Sequence, residues 1–234
     1  MKFVIIFDNY KTIDRLKTGW GFSAYIEADG EAMLFDTGAD YNTLFSNAVE
    51  LNIDLSKPDK IVISHFHWDH IGGLWDTLSL REGRKVYCPS PIPPGIKERI
   101  ELYGAEPVPI PSKPTVITDY ARSTGTLVGH GVHEQSLILM DRVLLTGCAH
   151  PGIVEIVEHT IKIIGRPPEL VLGGFHLGGF GTGHLKRIAL QLKELGVEKV
   201  APCHCSGVNA RKVFKEVFGE GFLEVGVGFE YELE

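Results

Sequence analysis

The stretch Ser64-His65-Phe66-His67-Trp68-Asp69-His70 decides both the fold and the chemistry expected of this chain. It follows the apolar run 60–63, which predicts a buried strand, and it precedes residues 71–74, which predict a turn into a helix. Imidazole and carboxylate are the ligands that zinc and similar cations prefer. The order H-x-H-x-D-H at a strand end therefore predicts a metal site, and the alternative is a surface histidine cluster.

The spacing of these residues suggests how ions would be shared among them. His65 and His67, two residues apart on one loop, are expected to converge on a first ion. Asp69 and His70 lie beyond the next turn and are expected to face a second ion. Asp36, at the end of a predicted hairpin, is interpreted either as a carboxylate that orients a metal-binding histidine or as an ordinary turn residue.

The composition is ordinary for a globular chain and excludes some classes of function. With 234 residues, of which 44% are hydrophobic and 23% charged, one domain over residues 1–234 is expected. The net charge of −7 argues against a nucleic-acid binder. Four cysteines are too few for a disulfide framework, and no segment has the length of a membrane span. We expect a cytoplasmic protein that binds a small molecule, including an anionic one, and not nucleic acid or a membrane.

One pattern recurs along the chain: an apolar strand, a short polar loop with histidine, and then a helix. It follows residues 63, 146, 172 and 201, and the later loops carry Cys148 and His150, then His176, then His204. Loops at one edge of a β-layer are where α/β folds build their sites. The four loops are therefore expected to meet at one edge.

Two proline-rich stretches interrupt this pattern, at residues 89–94 and 107–114, on either side of a predicted helix at 96–103. Regular pattern resumes after them, so they are interpreted as an excursion from one domain and not as a linker. The hypothesis is that this excursion covers the site.

The four loops together resemble those of the metallo-β-lactamase superfamily, and the resemblance runs from Gly21 to the last strand. It is strongest to the branch that includes the dihydropterin-ribofuranosyl-aminobenzene phosphate synthase of methanopterin biosynthesis. The stretches that carry it are Phe35-Asp36-Thr37-Gly38, residues 63–74, Thr146-Gly147-Cys148-Ala149-His150-Pro151-Gly152, Gly173-Gly174-Phe175-His176-Leu177 and Pro202-Cys203-His204-Cys205. The resemblance implies an α/β (α+β) fold, an αββα four-layer sandwich, with a dinuclear metal site.

The resemblance also implies the ligands of that site. His65 and His67 would hold the first metal, whereas Asp69 and His70 would hold the second, completed by His204. The metals are expected to be two zinc ions, with manganese or iron as alternatives, since histidine and aspartate suit all three.

The chain departs from the family at Cys148, where many members have an aspartate that bridges both metals. Cys148 is interpreted as a thiolate ligand or as a buried core cysteine, and both remain open. The third ligand of the first metal is expected from His150, which we favour because it lies in a tight loop at a strand end, or from His133.

Two residues are candidates for catalysis. Asp69 is expected to accept a hydrogen bond from the nucleophile in addition to ligating metal, and His176 to transfer a proton or bind an anionic group. The alternative for His176 is that it only braces its glycine-rich loop. Cys203 and Cys205 flank His204 and, in an extended segment, would point away from it, which favours a structural role for both.

The expected function is that of a metal-dependent hydrolase, in which a metal-activated water attacks an ester, lactone or phosphoester of a small molecule. One alternative is a pterin-related synthase that condenses a pterin diphosphate with an aryl-amine ribosyl phosphate. The other is a metal-stabilised binding module without turnover.

Overall fold

A computed structural model describes residues 1–233 and divides them into two compact units. The first unit contains residues 1–110 and 225–233, and the second contains residues 111–224. The prediction of a single domain stays a prediction, and each unit is described by itself.

Fifteen strands and seven α-helices are found in residues 1–233. In chain order they are β1 (Lys2–Phe7), β2 (Ser23–Ala28), β3 (Glu31–Phe35), α1 (Tyr41–Glu50), β4 (Lys60–Val62), α2 (Trp68–Ile71), α3 (Leu74–Ser79), β5 (Lys85–Pro89), α4 (Pro94–Leu102), β6 (Glu106–Ile110), β7 (Thr115–Thr118), β8 (Ala121–Ser123), β9 (Leu127–Gly129), β10 (Val132–Glu134), β11 (Leu137–Leu139), β12 (Val143–Thr146), α5 (Ile153–Ile164), β13 (Leu170–Gly174), α6 (Thr182–Glu194), β14 (Lys199–Cys203), α7 (Val208–Phe218) and β15 (Glu230–Glu232).

The first unit is built on a seven-stranded sheet of order β15-β1-β2-β3-β4-β5-β6. Its first three pairings are antiparallel and its last three are parallel. Helices α1 and α3 supply Leu44 and Leu74 to a core shared with Ile6, Leu34 and Ile61 of the strands. Asp40 caps α1 by accepting the Thr43 amide at 2.8 Å, which fixes where that helix begins.

Part of the proline-rich region, Pro89 and residues 107–110, pairs within this sheet, so the interpretation as an excursion is wrong for these residues. Strand β6 contains Pro107 and Pro109 and pairs in parallel with β5. Proline lacks a backbone donor and is tolerated on an edge strand, which is the place of β6 in the sheet. The last strand, β15, spans Glu230–Glu232 and pairs antiparallel with β1.

The second unit is built on a six-stranded sheet of order β14-β13-β12-β11-β8-β7, with a separate hairpin of β9 and β10. Strands β12, β13 and β14 are parallel neighbours, so their carboxyl ends lie side by side. Helices α5, α6 and α7 contribute Ile156, Leu185 and Phe214 to a core shared with Val171 and Val200. Each unit therefore combines a large sheet with helices, and the predicted mixed α/β class is confirmed.

None of the helices within residues 1–233 is long and apolar enough to cross a membrane.

Candidate functional site

The first histidine loop lies in the first unit and begins where β4 ends. Helix α2 follows at once, and it carries Asp69 and His70 on a single turn. Of the turn predicted over residues 71–74, only Gly72 and Gly73 separate α2 from α3, because Ile71 ends the first helix and Leu74 begins the second. His65, Asp69 and His70 are buried, whereas His67 is exposed.

The structure brings these four residues together. A ring nitrogen of His65, Nε2, lies 3.0 Å from Nδ1 of His67, and the His65 and His70 ring centres are 4.2 Å apart. The Asp69 carboxylate lies 3.8 Å from Nε2 of His70. Several nitrogen and oxygen donors at such separations form a set that can hold a cation.

Asp36 binds and orients a histidine of this loop, which is one of the two roles interpreted from the sequence. Its carboxylate lies 2.6 Å from Nδ1 of His70. It also accepts hydrogen bonds from the amide and the hydroxyl of Ser64, both at 2.7 Å. The bond at Nδ1 orients the His70 ring and turns Nε2 toward the other donors of the loop, which is how outer carboxylates act on metal-bound histidines.

The backbone around His70 is fixed as well. The Thr37 amide and hydroxyl both donate to the His70 carbonyl, at 2.9 and 3.0 Å. Gly72 donates to Gly38 at 2.9 Å, and a side chain at Gly72 would meet the Ala39 carbonyl oxygen at 1.9 Å. The segment after β3 therefore packs so closely against the end of α2 that only glycine fits at residue 72.

The second histidine loop lies in the second unit, after β12. It is held by Glu134, the last residue of β10, which is 1% exposed. Glu134 accepts the amides of Cys148, Ala149 and His150, each at 2.8 Å, and its carboxylate lies 2.7 Å from Nδ1 of His150. One carboxylate thus fixes both the path of the loop and the ring of His150.

The sequence patterns do not indicate a role for Glu134, although they indicate its neighbour His133 as a candidate ligand. His133 is half-buried in β10. Within residues 1–233, His150 but not His133 belongs to a group of three or more possible ligands whose atoms lie within 4.8 Å of one another. The geometry therefore favours His150, although the identity of the third ligand stays a prediction.

Cys148 is the residue on which the donors of the second unit converge. It is buried, and its sulfur lies within 4.8 Å of ligand atoms of His150, His204, His176 and Cys205. The predicted ligands Cys148, His150 and His204 are thus brought together within this unit.

Cys205 lies in this cluster because the backbone after β14 is not extended, as the sequence argument had assumed. Residues His204–Ser206 form a 3-10 turn, and His204 has a positive φ of 47°. The Cys205 thiol donates to the Cys148 carbonyl at 3.7 Å, whereas Cys203 is fully buried at the end of its strand. The expectation of an extended segment is therefore wrong for residues 204–206.

His176 follows β13 with a positive φ of 51° and is exposed. Its ring centre lies 4.6 Å from that of His150. A hydrogen bond with Cys205 raises the pKa of His176 above its usual value, against the opposing effect of burial. Burial alone would raise the pKa of the Cys205 thiol, but hydrogen bonds with Cys148 and His176 bring that pKa well below its usual value.

A cavity of about 660 Å³ in the second unit is lined by His150 and His176. Its wall includes Phe180 and His184, whose rings stack at 4.6 Å, and the cationic Lys162. Leu177 also lines this cavity, so the segment that follows His176 forms part of its wall. A volume of this size suits a small-molecule ligand.

Comparisons with known proteins agree with this arrangement. The model of the metallo-beta-lactamase superfamily matches residues 19–204. The chain is 29% identical to 7,8-dihydropterin-6-methyl-4-(beta-D-ribofuranosyl)-aminobenzene-5'-phosphate synthase of Methanocaldococcus jannaschii, over 90% of this chain and 88% of that protein. It is 30% identical to an uncharacterised protein of the same organism, over 81% of this chain and 85% of that one.

Among solved structures, Tm1679 is described as a metal-dependent hydrolase of the beta-lactamase superfamily. It matches with a TM-score of 0.79 at 26% identity, over 100% of this chain and 99% of that one. The predicted resemblance is confirmed by the family match and by these relatives: this chain belongs to the metallo-beta-lactamase superfamily.

Proposed function

We propose that this chain is a metal-dependent hydrolase that acts on an ester, lactone or phosphoester of a small molecule. The observation that carries the proposal is that each unit presents a histidine loop braced by a buried carboxylate: Asp36 bonds His70, and Glu134 bonds His150. Carboxylate-bonded histidines are typical of metal ligands, because the bond fixes the ring and raises its basicity. The relative Tm1679, described as a metal-dependent hydrolase, supports the same class.

The donor sets fit divalent metal. The first unit supplies imidazole and carboxylate, and the second supplies imidazole and thiol, all of which zinc accepts. We assign as ligands the residues predicted from the sequence: His65, His67, Asp69, His70, Cys148, His150 and His204. Two zinc ions are the proposed complement, with manganese or iron as alternatives.

Bound divalent ions would supply Lewis acidity, which activates water and polarises a carbonyl or phosphoryl group. The residues of the chain supply the rest. Asp69, next to His70, is placed to accept a hydrogen bond from the attacking water. His176 lines the cavity and has a raised pKa, so it is suited to protonate a leaving group.

A second candidate is a pterin-related synthase that joins a pterin diphosphate to an aryl-amine ribosyl phosphate. It is favoured by the 29% identity to the Methanocaldococcus jannaschii synthase over 90% of this chain. The cavity is compatible with such substrates, since Phe180 and His184 offer a flat aromatic surface and Lys162 a positive charge. Both candidates involve a small-molecule partner and a cytoplasmic protein.

The test is metal analysis of protein purified without chelators, followed by two assays on the same sample. The first uses lactones, thioesters, phosphomonoesters and phosphodiesters, and the second uses a pterin diphosphate with an aryl-amine ribosyl phosphate. About two ions per chain with turnover of any ester supports the hydrolase. Turnover in the second assay alone supports the synthase, and tight metal binding without either activity indicates a binding module.

Three variants sharpen the result. His67→Ala should lower metal content and activity together, and a wild-type metal content in this variant would contradict the ligand assignment. His150→Ala should act in the same way, whereas His133→Ala, its matched control on β10, should leave both unchanged. The reverse outcome would assign the third ligand to His133.

A further inference from the structure

Cys148, His176 and Cys205 form a second cluster of ligands in the second unit, and the proposed function does not use it as a set. Their sulfur and ring-nitrogen atoms all lie within 4.8 Å of one another. Two cysteines and one histidine are the protein ligands of one known type of catalytic zinc site, in which a fourth position stays open. We propose that these three residues bind a thiophilic divalent cation, such as zinc, in a site that shares Cys148 with the proposed histidine centre and uses His176 as a ligand and not as a proton donor.

The separations suit such an ion. With Zn–S of about 2.3 Å and Zn–N of about 2.0 Å, ligand atoms around a tetrahedral zinc are about 3.6–3.8 Å apart. Atoms that already lie within 4.8 Å need to contract by about 1 Å at most. Rotation of the side chains is enough for a contraction of this size, since the three ligands already lie close together in space.

Backbone contacts hold both cysteines in place. The Cys148 amide donates to Glu134 at 2.8 Å, and the Cys205 carbonyl accepts from Gly178 at 3.3 Å. Gly174 makes room for the cluster, because a side chain there would meet the Cys205 sulfur at 2.6 Å. Ligands fixed by their surroundings bind metal without a large ordering cost.

The charge and the position of the cluster also fit the proposal. Two thiolates would neutralise a divalent cation, and binding would release their protons. His176 belongs both to this cluster and to the lining of the cavity. The fourth position is therefore expected on the cavity side, where a small molecule would reach the ion.

The test is a cobalt titration of the full chain, stripped of metal and kept reduced, followed by its thiolate-to-cobalt charge-transfer absorption. The wild-type chain should develop this band. Cys205→Ser and His176→Gln should both weaken it, whereas Cys88→Ala, a buried cysteine of the first unit, should keep it in full. Circular dichroism of each variant checks that the fold is retained.

His67→Ala separates this site from the histidine centre, since that variant should keep the band even if it loses its other metal. A band that disappears in His67→Ala and survives in Cys205→Ser would overturn the inference and place the thiolate in the histidine centre. Alkylation with and without cadmium gives a second readout, in which cadmium should protect Cys148 and Cys205 together. The inference would also be overturned if cadmium did not protect the two cysteines from alkylation. A Cys148–Cys205 disulfide that persists despite the reductant would overturn it as well.

Discussion

Each of the two histidine loops is held by one buried carboxylate, but the two carboxylates bind different groups. In the first unit, Asp36 makes one bond to a backbone amide and two bonds to the side chains of Ser64 and His70. In the second unit, Glu134 accepts three successive backbone amides and one histidine ring. The first carboxylate therefore orients side chains, whereas the second determines the course of the backbone.

This difference follows from what surrounds each loop. The first loop passes into a helix at once, and its backbone is also held by Thr37, which binds the His70 carbonyl. The second loop runs through Gly147, Cys148 and Ala149 before α5 begins, and Ala149 has a positive φ of 58°. Its consecutive amides point in one direction and need an acceptor. The second loop is therefore expected to depend more strongly on its carboxylate than the first.

The largest effect is expected for Glu134→Ala. The substitution leaves three buried amides and the His150 ring without this acceptor, and each buried group without a partner costs about 1–3 kcal/mol. Partial relaxation lowers the total, so the free energy of unfolding should fall by about 3–5 kcal/mol. Urea unfolding measures it, with the exposed Glu106→Ala as a control near zero. A loss below about 1 kcal/mol would show that the loop does not depend on Glu134.

Asp36→Ala should come second, with a loss of about 2–4 kcal/mol in the same measurement, because only one backbone amide loses its acceptor. Asp36→Asn sharpens the comparison. Its amide would donate to Nδ1 of His70, which places the ring proton on Nε2, the nitrogen proposed for metal. This variant should therefore remain folded but bind less metal, as measured by metal analysis. Unchanged metal content in Asp36→Asn would remove His70 from the ligand set.

The two carboxylates also show how far the sequence could lead. The sequence indicates Asp36 as a possible partner of a metal-binding histidine because it is an acidic residue at the end of a predicted hairpin, just before Thr37 and Gly38. Glu134 was not recognised, because most of its partners are backbone amides, which leave no trace in the identity of the residues. Hydrogen bonds of this kind depend on the course of the chain, which sequence patterns do not describe.

Sequence patterns describe local structure, and this limit also explains the other places where the structure differs from the predictions. Apolar periodicity predicts a strand that ends at residue 146 and, after a polar loop, a helix, and the structure has β12 at Val143–Thr146 and α5 at Ile153–Ile164. It did not place β6, since Pro107 and Pro109 disfavour a strand unless it lies at an edge, and edges are a property of the whole sheet. Nor did it foresee the 3-10 turn at His204–Ser206, which brings Cys205 to Cys148.

A third and smaller effect is expected at the glycines beneath each loop. An alanine at Gly72 would meet the Ala39 carbonyl oxygen at 1.9 Å, and an alanine at Gly174 would meet the Gly147 carbonyl oxygen at 2.3 Å. Overpacking of this kind costs about 1–3 kcal/mol. Thermal unfolding should show Gly72→Ala and Gly174→Ala both destabilised, with Gly95→Ala, where a side chain meets open space, as a neutral control. Equal stability of all three variants would mean that the loops shift without cost.

The smallest effect is expected for Ser64→Ala, which has no counterpart in the second loop because Gly147 carries no side chain. The Ser64 hydroxyl donates to Asp36 at 2.7 Å and lies 3.0 Å from Nδ1 of His65. Its loss should cost about 1 kcal/mol, since the backbone amide of Ser64 keeps its bond to Asp36. Urea unfolding of Ser64→Ala, Asp36→Ala and the double variant measures the coupling. The double variant should be less stable than Asp36→Ala by at most a few tenths of a kcal/mol, because the hydroxyl acts mainly through Asp36. Full additivity would instead show that Ser64 acts through His65, and that the side chains of the first loop are held by two independent contacts.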